Sequence, residues 1–201
     1  YQSFASDALN YYFIDFDVLK EEGLLEKSDY ADIVWGEDER RVDYGRQFWH
    51  KIAVLKKAFA NFNKSDTTWQ DFLQRGFYAD FALFMSLKNH FNHKSWNDWD
   101  EPYRNADKDT LESYKKANVE EIEFWQFTQY LFLKQWNALL AYAHGKGIEV
   151  MGDMPIYVSY DSVETWLHRD ELFMLDKKGN TSLRAGVPPD AFSEDGQLWG
   201  N

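Results

Sequence analysis

The sequence predicts a mainly α-helical chain with one short buried strand and one hairpin near its C-terminal end. Three observations carry that prediction. Apolar residues recur at three- and four-residue steps through most of 42–144, the spacing of one helical face. Gly145 and Gly147 then interrupt the pattern, because glycine takes the left-handed conformation that closes a helix, and Ile148 to Met151 follow as a short strand-like run. Further on, Asp176-Lys177-Lys178-Gly179-Asn180 separates two short segments, Leu172 to Leu175 and Thr181 to Arg184, as a hairpin turn does.

Taken in order, Tyr1 to Phe16 is aromatic and polar without helical period and reads as a loop. Asp17 is placed to cap a short helix over Val18 to Glu22 that Gly23 closes. From Val42 to Asn63, Phe48, Ile52, Leu55, Phe59 and Phe62 share one face, so this is a packing helix. Lys51, Lys56, Lys57 and Lys64 fall mostly off that stripe and read as a solvated face rather than an anion patch. Ser65-Asp66 caps a second helix predicted to run unbroken from Thr67 to about Phe91, with Trp69, Phe72, Leu73, Phe77, Phe81, Phe84 and Leu87 on its core side. His90 and His93, near Asp98 and Asp100, raise a metal site. A loop offering two histidines does not supply the three or four converging ligands that zinc needs, so no metal is expected. A polar helix at Lys108 to Ala117 precedes a long one from Glu120 to His144, apolar more than halfway round and therefore expected to be the most buried element. Past the strand, Asp161-Ser162 caps Val163 to His168, with Trp166 and Leu167 turned inward. The loop 185–201 combines two prolines with three glycines, the make-up of an active-site loop.

Composition narrows the function classes. The 201 residues, 44% hydrophobic, suffice for a substantial core. A net charge of −12 opposes nucleic acid and anionic lipid, since binding to phosphate backbones depends on Lys and Arg releasing counterions. A neutral ligand suits the chain better. Aromatics make up 18% of it, nine of them Trp, and such rings fill cores or stack on sugar faces. With no cysteine there is neither a disulfide framework nor a thiolate metal site, which fits a reducing cytoplasm. No apolar run reaches the roughly 20 residues that a membrane helix needs. The chain starts at Tyr1 and stops at Asn201 inside a Gly-rich loop, and is read as a piece of a longer enzyme.

Asp153 is the first candidate for function. It follows the predicted strand at its C-terminal end, the position where parallel barrels place their chemistry, and Pro155 behind it restricts the backbone. A turn-capping role fits the spacing equally well. What favours function is a resemblance running nearly the whole length. Gly152-Asp153-Met154-Pro155-Ile156-Tyr157-Val158, Ala185-Gly186-Val187-Pro188-Pro189-Asp190 and Gly196-Gln197-Leu198-Trp199-Gly200-Asn201 resemble, in order, the motifs of the amylomaltases (4-alpha-glucanotransferases, disproportionating enzymes). Tyr1-Gln2-Ser3-Phe4, Trp96-Asn97-Asp98-Trp99 and the helix Gln129 to Trp136 match as well, whereas the family reads Gly-Asn-Pro where this chain has Leu9-Asn10-Tyr11.

The resemblance implies one strand, a hairpin and loops of a (β/α)8 TIM barrel whose remainder is absent, plus a helical insertion subdomain. It implies boundaries at 1–41, 42–146 and 147–201. Retaining glycoside transfer needs two carboxyl groups about 5–5.5 Å apart, and by composition Asp153, Asp161, Asp190, Glu194 and Asp195 could supply them. The family instead draws its nucleophile and acid/base from later barrel strands, beyond Asn201. The resemblance thus assigns this chain no catalytic residue, no metal and no cofactor, and gives Tyr1, Asp153, Asp190, Gln197 and Trp199 to glucan binding. The tryptophans of 96–99 are expected to anchor a loop by packing. The implied partner is a maltooligosaccharide, with exposed barrel edges inviting self-association. A stand-alone glycan-binding module and a non-enzymatic helical interaction domain are the competing classes. An exposed row of tryptophans favours the module, and buried ones favour the enzyme fragment.

Overall fold

The computed structural model describes residues 3–38, 40–153, 157–176 and 178–199. Helices α1 (Phe16–Glu21), α2 (Tyr44–Asn61), α3 (Thr67–Arg75), α4 (Ala79–His90), α5 (Glu101–Arg104), α6 (Lys108–Ala117), α7 (Val119–Gly145), α8 (Val163–Leu167) and α9 (Arg169–Leu172) dominate it. Strands β1 (Gly186–Val187) and β2 (Gln197–Leu198) form one antiparallel pair. Two compact units emerge, Leu9–Ala79 with Glu123–Met151, and Tyr1–Ala8 with Asp80–Ile122 and Gly152–Asn201. Each gathers stretches far apart in sequence, whereas the expected boundaries at 1–41, 42–146 and 147–201 follow the chain.

In the unit built on 9–79 and 123–151, α2 meets α7 through rings. Phe59 lies 5.9 Å from Phe124 and 5.2 Å from Phe127, and Trp69 of α3 lies 5.4 Å from Tyr130. Two glutamines of α7 satisfy the extended N-terminal backbone as a strand partner would. Gln129 accepts from Leu9 N (2.7 Å) and donates to Leu9 O (3.1 Å), and Gln135 treats Asp15 likewise at 2.8 and 3.0 Å. Asn10 caps a 3-10 turn at Tyr11–Phe13 by accepting from Tyr12 N, so the departure from Gly-Asn-Pro still leaves a defined turn.

Several expectations are corrected here. Asp15, not Asp17, caps α1, because Asp17 is engaged by Lys27 Nζ (2.8 Å) and the Tyr30 hydroxyl (2.5 Å). The helix expected over Thr67 to Phe91 breaks at Gly76, whose φ of +67° closes α3 with a bond to Leu73 O, and Phe77 is left 71% exposed. Lys51 is not solvated. It is 8% exposed, donates to Ile14 O (2.7 Å) and stands 4.1 Å from the Phe16 ring centre. Burial in α7 is confined to its first half, between Phe124 and Leu131, and its second half leaves Leu139 and Tyr142 exposed. The most continuously buried helix is α4.

In the unit built on 80–122 and 152–199, Phe84 of α4 contacts Phe4 (6.2 Å), Trp99 (5.3 Å) and Trp166 (5.7 Å). Ser162 caps α8 as expected, and Trp166 donates from Nε1 to Tyr103 O at 2.9 Å. Trp96 and Trp99 do anchor their loop, both buried, with Trp96 Nε1 donating to Tyr160 O (2.8 Å). The buried strand expected at Ile148 to Met151 is absent. That segment is irregular and exposed, Met151 at 96%, since a strand needs a neighbour to complete its ladder and none lies beside it among the described residues. The hairpin forms in reduced shape. One bridge joins Leu175 to Thr181, and α9 takes up Leu172.

Candidate functional site

The loop 185–199 is built by backbone constraint. Val187 pairs with Gln197 and Gly186 with Leu198, and β1 ends there because Pro188 and Pro189 have no N–H to offer a ladder. Close approach is what the glycines permit. A Cβ on Gly186 would stand 2.3 Å from Gln197 O, and one on Gly196, where φ is +74°, would stand 2.6 Å from Val187 O. Asp190 Oδ1 accepts from the amides of Phe192 (2.8 Å) and Ser193 (2.9 Å), folding the tip into a turn. The Ser193 hydroxyl donates to Gly196 O at 2.6 Å.

This frame presents Trp199. Its amide donates to Ala185 O (2.9 Å), its indole Nε1 to Gln197 Oε1 (3.2 Å), and its ring stands 5.6 Å from Tyr157 at 64°. With 47% of its surface exposed, the ring is oriented yet accessible. The structure thus brings Gln197 and Trp199 together directly and sets Asp190 at the tip of the same loop. Asp153 is exposed where the 148–153 segment ends. Tyr1 and Met154-Pro155 lie outside the described residues. Among the carboxylates considered for catalysis, Asp190 is bound by the fold as above, and Asp161 is bound by Lys88 Nζ (2.5 Å) and Trp96 N (3.2 Å).

Beside the loop lies a cleft of about 520 Å³, lined by Tyr157, Tyr160, Leu172, Met174, Leu183 and Arg184 among others. Burial, followed by the charges of Asp98, Asp176 and Asp161, pushes the Tyr160 hydroxyl above the usual tyrosine range. It therefore stays protonated and donates to Gly179 O at 2.5 Å. Sequence reasoning passed over Tyr157, Tyr160 and Lys88. A signal existed for the last, a lysine closing the apolar run Phe81 to Leu87. Among the described residues no three His, Cys, Asp or Glu converge as metal ligands, and His90 packs against Phe91, Tyr103 and Tyr114. No described helix is long and apolar enough to cross a membrane.

Comparison with known proteins adds family evidence. The 4-alpha-glucanotransferase family model matches residues 1–201. Relatives named 4-alpha-glucanotransferase include those of Clostridium butyricum, 43% identical over 205 residues, and Thermus thermophilus, 42% identical over 208 residues; each match spans all of this chain. The chain covers only 42% and 40% of those relatives' lengths. An amylomaltase from Streptococcus agalactiae, solved in complex with acarbose, superposes with a TM-score of 0.92 at 45% identity, spanning all of this chain and 41% of that one. The chain belongs to the 4-alpha-glucanotransferase family, glycoside hydrolase family 77.

Proposed function

We propose that this chain is part of a longer 4-alpha-glucanotransferase that moves alpha-1,4-glucan segments between maltooligosaccharides by a retaining mechanism. Asp153, Asp190, Gln197, Trp199 and Tyr1 contribute to glucan binding, while the nucleophile and the acid/base lie outside the chain. The observation that carries this reading is the family match over all 201 residues, joined to a TM-score of 0.92 with an amylomaltase that holds acarbose. The loop geometry supports it. A ring held edge-on by Tyr157 and hydrogen-bonded by Gln197 offers a flat apolar face to a sugar, and the adjacent amide and carboxylate groups suit its hydroxyls. Tryptophan burial weighs against a stand-alone glycan module. Trp69, Trp96, Trp99, Trp125 and Trp166 are fully buried.

In the long enzyme, incubation with maltotriose is expected to yield longer oligomers beside glucose; glucose without longer products overturns the transfer reading. The chain alone is expected to be inactive, and maltotriose turnover by it, abolished in Asp153→Asn, overturns that. Asp153→Ala in the long enzyme is expected to lower the rate by roughly 10²-fold or more with little loss of stability, by analogy with lost electrostatic contacts. An unchanged rate with a lowered Tm makes Asp153 a turn residue instead. We place the enzyme in the cytoplasm, consistent with a chain without cysteine. Exposed Ile148, Val150 and Met151 offer the isolated chain a surface for self-association, which sedimentation across a concentration series tests.

A further inference from the structure

We propose that Lys88 and Asp161 are positioning residues that hold the Trp199 ring in place through the segment 157–161, an inference that rests on the glucan-binding reading of Trp199. Lys88 is 2% exposed, and its ammonium donates to three oxygens, His93 O (3.0 Å), Lys94 O (2.8 Å) and Asp161 Oδ2 (2.5 Å). Asp161 uses its other oxygen to accept from Trp96 N at 3.2 Å. The pair thus ties the end of α4 and the 93–96 turn to the start of the 161–162 cap.

Tyr160 and Ser159, the two residues just before Asp161, are each anchored. Tyr160 O accepts from Trp96 Nε1 (2.8 Å), and the Tyr160 hydroxyl reaches Gly179 O (2.5 Å) in the hairpin turn. Gly179 lies so close to Trp96 that a Cβ there would meet the indole at 3.0 Å. Ser159 O accepts from Thr165 Oγ1 at 3.0 Å. Tyr157, at the far end of this held segment, contacts Trp199. A buried cation satisfied by three oxygens is rigid, because losing any one leaves a desolvated charge short of partners. That rigidity passes through Tyr160 and Ser159 to Tyr157 and the ring it meets. A side chain misplaced by about 1 Å at a binding site can cost as much as 10²-fold in rate, so a support removed at this distance has a kinetic signature.

The test uses the long enzyme carrying Lys88→Met or Asp161→Asn, with Leu55→Ala, a fully buried α2 site in the other unit, as a control for plain destabilisation. Two quantities are read, steady-state kinetics on maltotriose and hydrogen exchange by mass spectrometry. Lys88→Met is expected to raise KM about 10-fold with a smaller change in kcat, and to speed exchange at 93–96, 157–161 and 174–182. Asp161→Asn keeps an acceptor for Trp96 N but leaves the buried Lys88 ammonium without its carboxylate, so its effects run in the same direction and are at least as large. Leu55→Ala is expected to lower Tm while leaving KM and those amides as they are. Unchanged exchange at 157–161 in both variants overturns the proposal, as does faster exchange with an unchanged KM, or an equal KM shift in Leu55→Ala. Should the wild-type enzyme leave maltotriose untouched, the functional reading fails, and exchange at 157–161 alone decides whether the pair holds the segment.

Discussion

Helix α4 and the loop 185–199 belong to the same compact unit and treat their apolar side chains in opposite ways. Eight consecutive residues of α4, Phe81 to Lys88, are buried, whereas the loop leaves Phe192 93% and Leu198 79% exposed. Order in α4 comes from burial, each large apolar side chain removed from water contributing about 1.5–3 kcal/mol. Order in the loop comes from the backbone. Glycines admit carbonyls where a Cβ would clash, prolines restrict φ, and Asp190 and Ser193 close the turn by hydrogen bonds. Burial leaves nothing free to meet a ligand, while backbone constraint fixes a chain and still exposes its rings.

The comparison breaks most visibly at Phe84. Phe84→Ala, at a site with no exposure and three aromatic neighbours, is expected to cost about 3–5 kcal/mol in denaturant unfolding. A loss under about 1 kcal/mol, on the scale of an ordinary surface change, breaks the claim that α4 is held by burial.

Lys51 on α2 sharpens the helical side with a pH dependence. Burial, partly offset by the charge of Asp15, lowers its ammonium pKa from 10.5 to about 8. Below pH 8 the amine is charged in both folded and unfolded chains, and the folding cost is fully present. Between pH 8 and 10.5 only the unfolded chain keeps the proton, so stability rises with pH, and above 10.5 the cost is gone. Relative to Lys51→Met, the wild-type chain should therefore gain roughly 3 kcal/mol across that window. A constant difference between the two from pH 7 to 11 contradicts this.

Smaller effects follow. Asp43 caps α2 by accepting from Arg46 N at 3.0 Å, and Asp43→Ala should cost about 1 kcal/mol, read as a shifted urea midpoint with an unchanged slope. The smallest effect on global unfolding is expected for Gly186→Ala, despite the severity of its local clash. Because few buried contacts depend on the loop, Tm should barely move while the amides of 185–199 exchange faster. A large fall in Tm for Gly186→Ala erases the distinction between the two regions.

Elements whose boundaries rest on local chemistry were legible in the sequence. Helix α6 begins and ends at Lys108 and Ala117 as its pattern indicates, and Ser162 caps α8. The Gly76 break was also written in the chain, and a continuous apolar period across it hid the signal. The loop motifs named Asp190, Gln197 and Trp199, while the bond between Gln197 and Trp199 and the β1–β2 pairing that carries them came only from the structure.

By itself the sequence determined where the longer helices lie, though not the break at Gly76 or the short α5 and α9, as well as which residue types line the C-terminal loop and which family the motifs resemble, because periodicity, caps and glycine positions are properties of neighbouring residues. Tertiary structure alone decided the rest. Ile148 to Met151 has strand-like residues and no ladder, since a ladder needs a second backbone that no local pattern supplies. Lys51 reads as a solvated lysine and is buried, since only the folded chain brings Ile14 O to it, and the same holds for what encloses Lys88, whose partner Asp161 lies far along the sequence. Whether a charge is solvated or enclosed depends on which distant oxygens surround it, and sequence spacing carries no record of that.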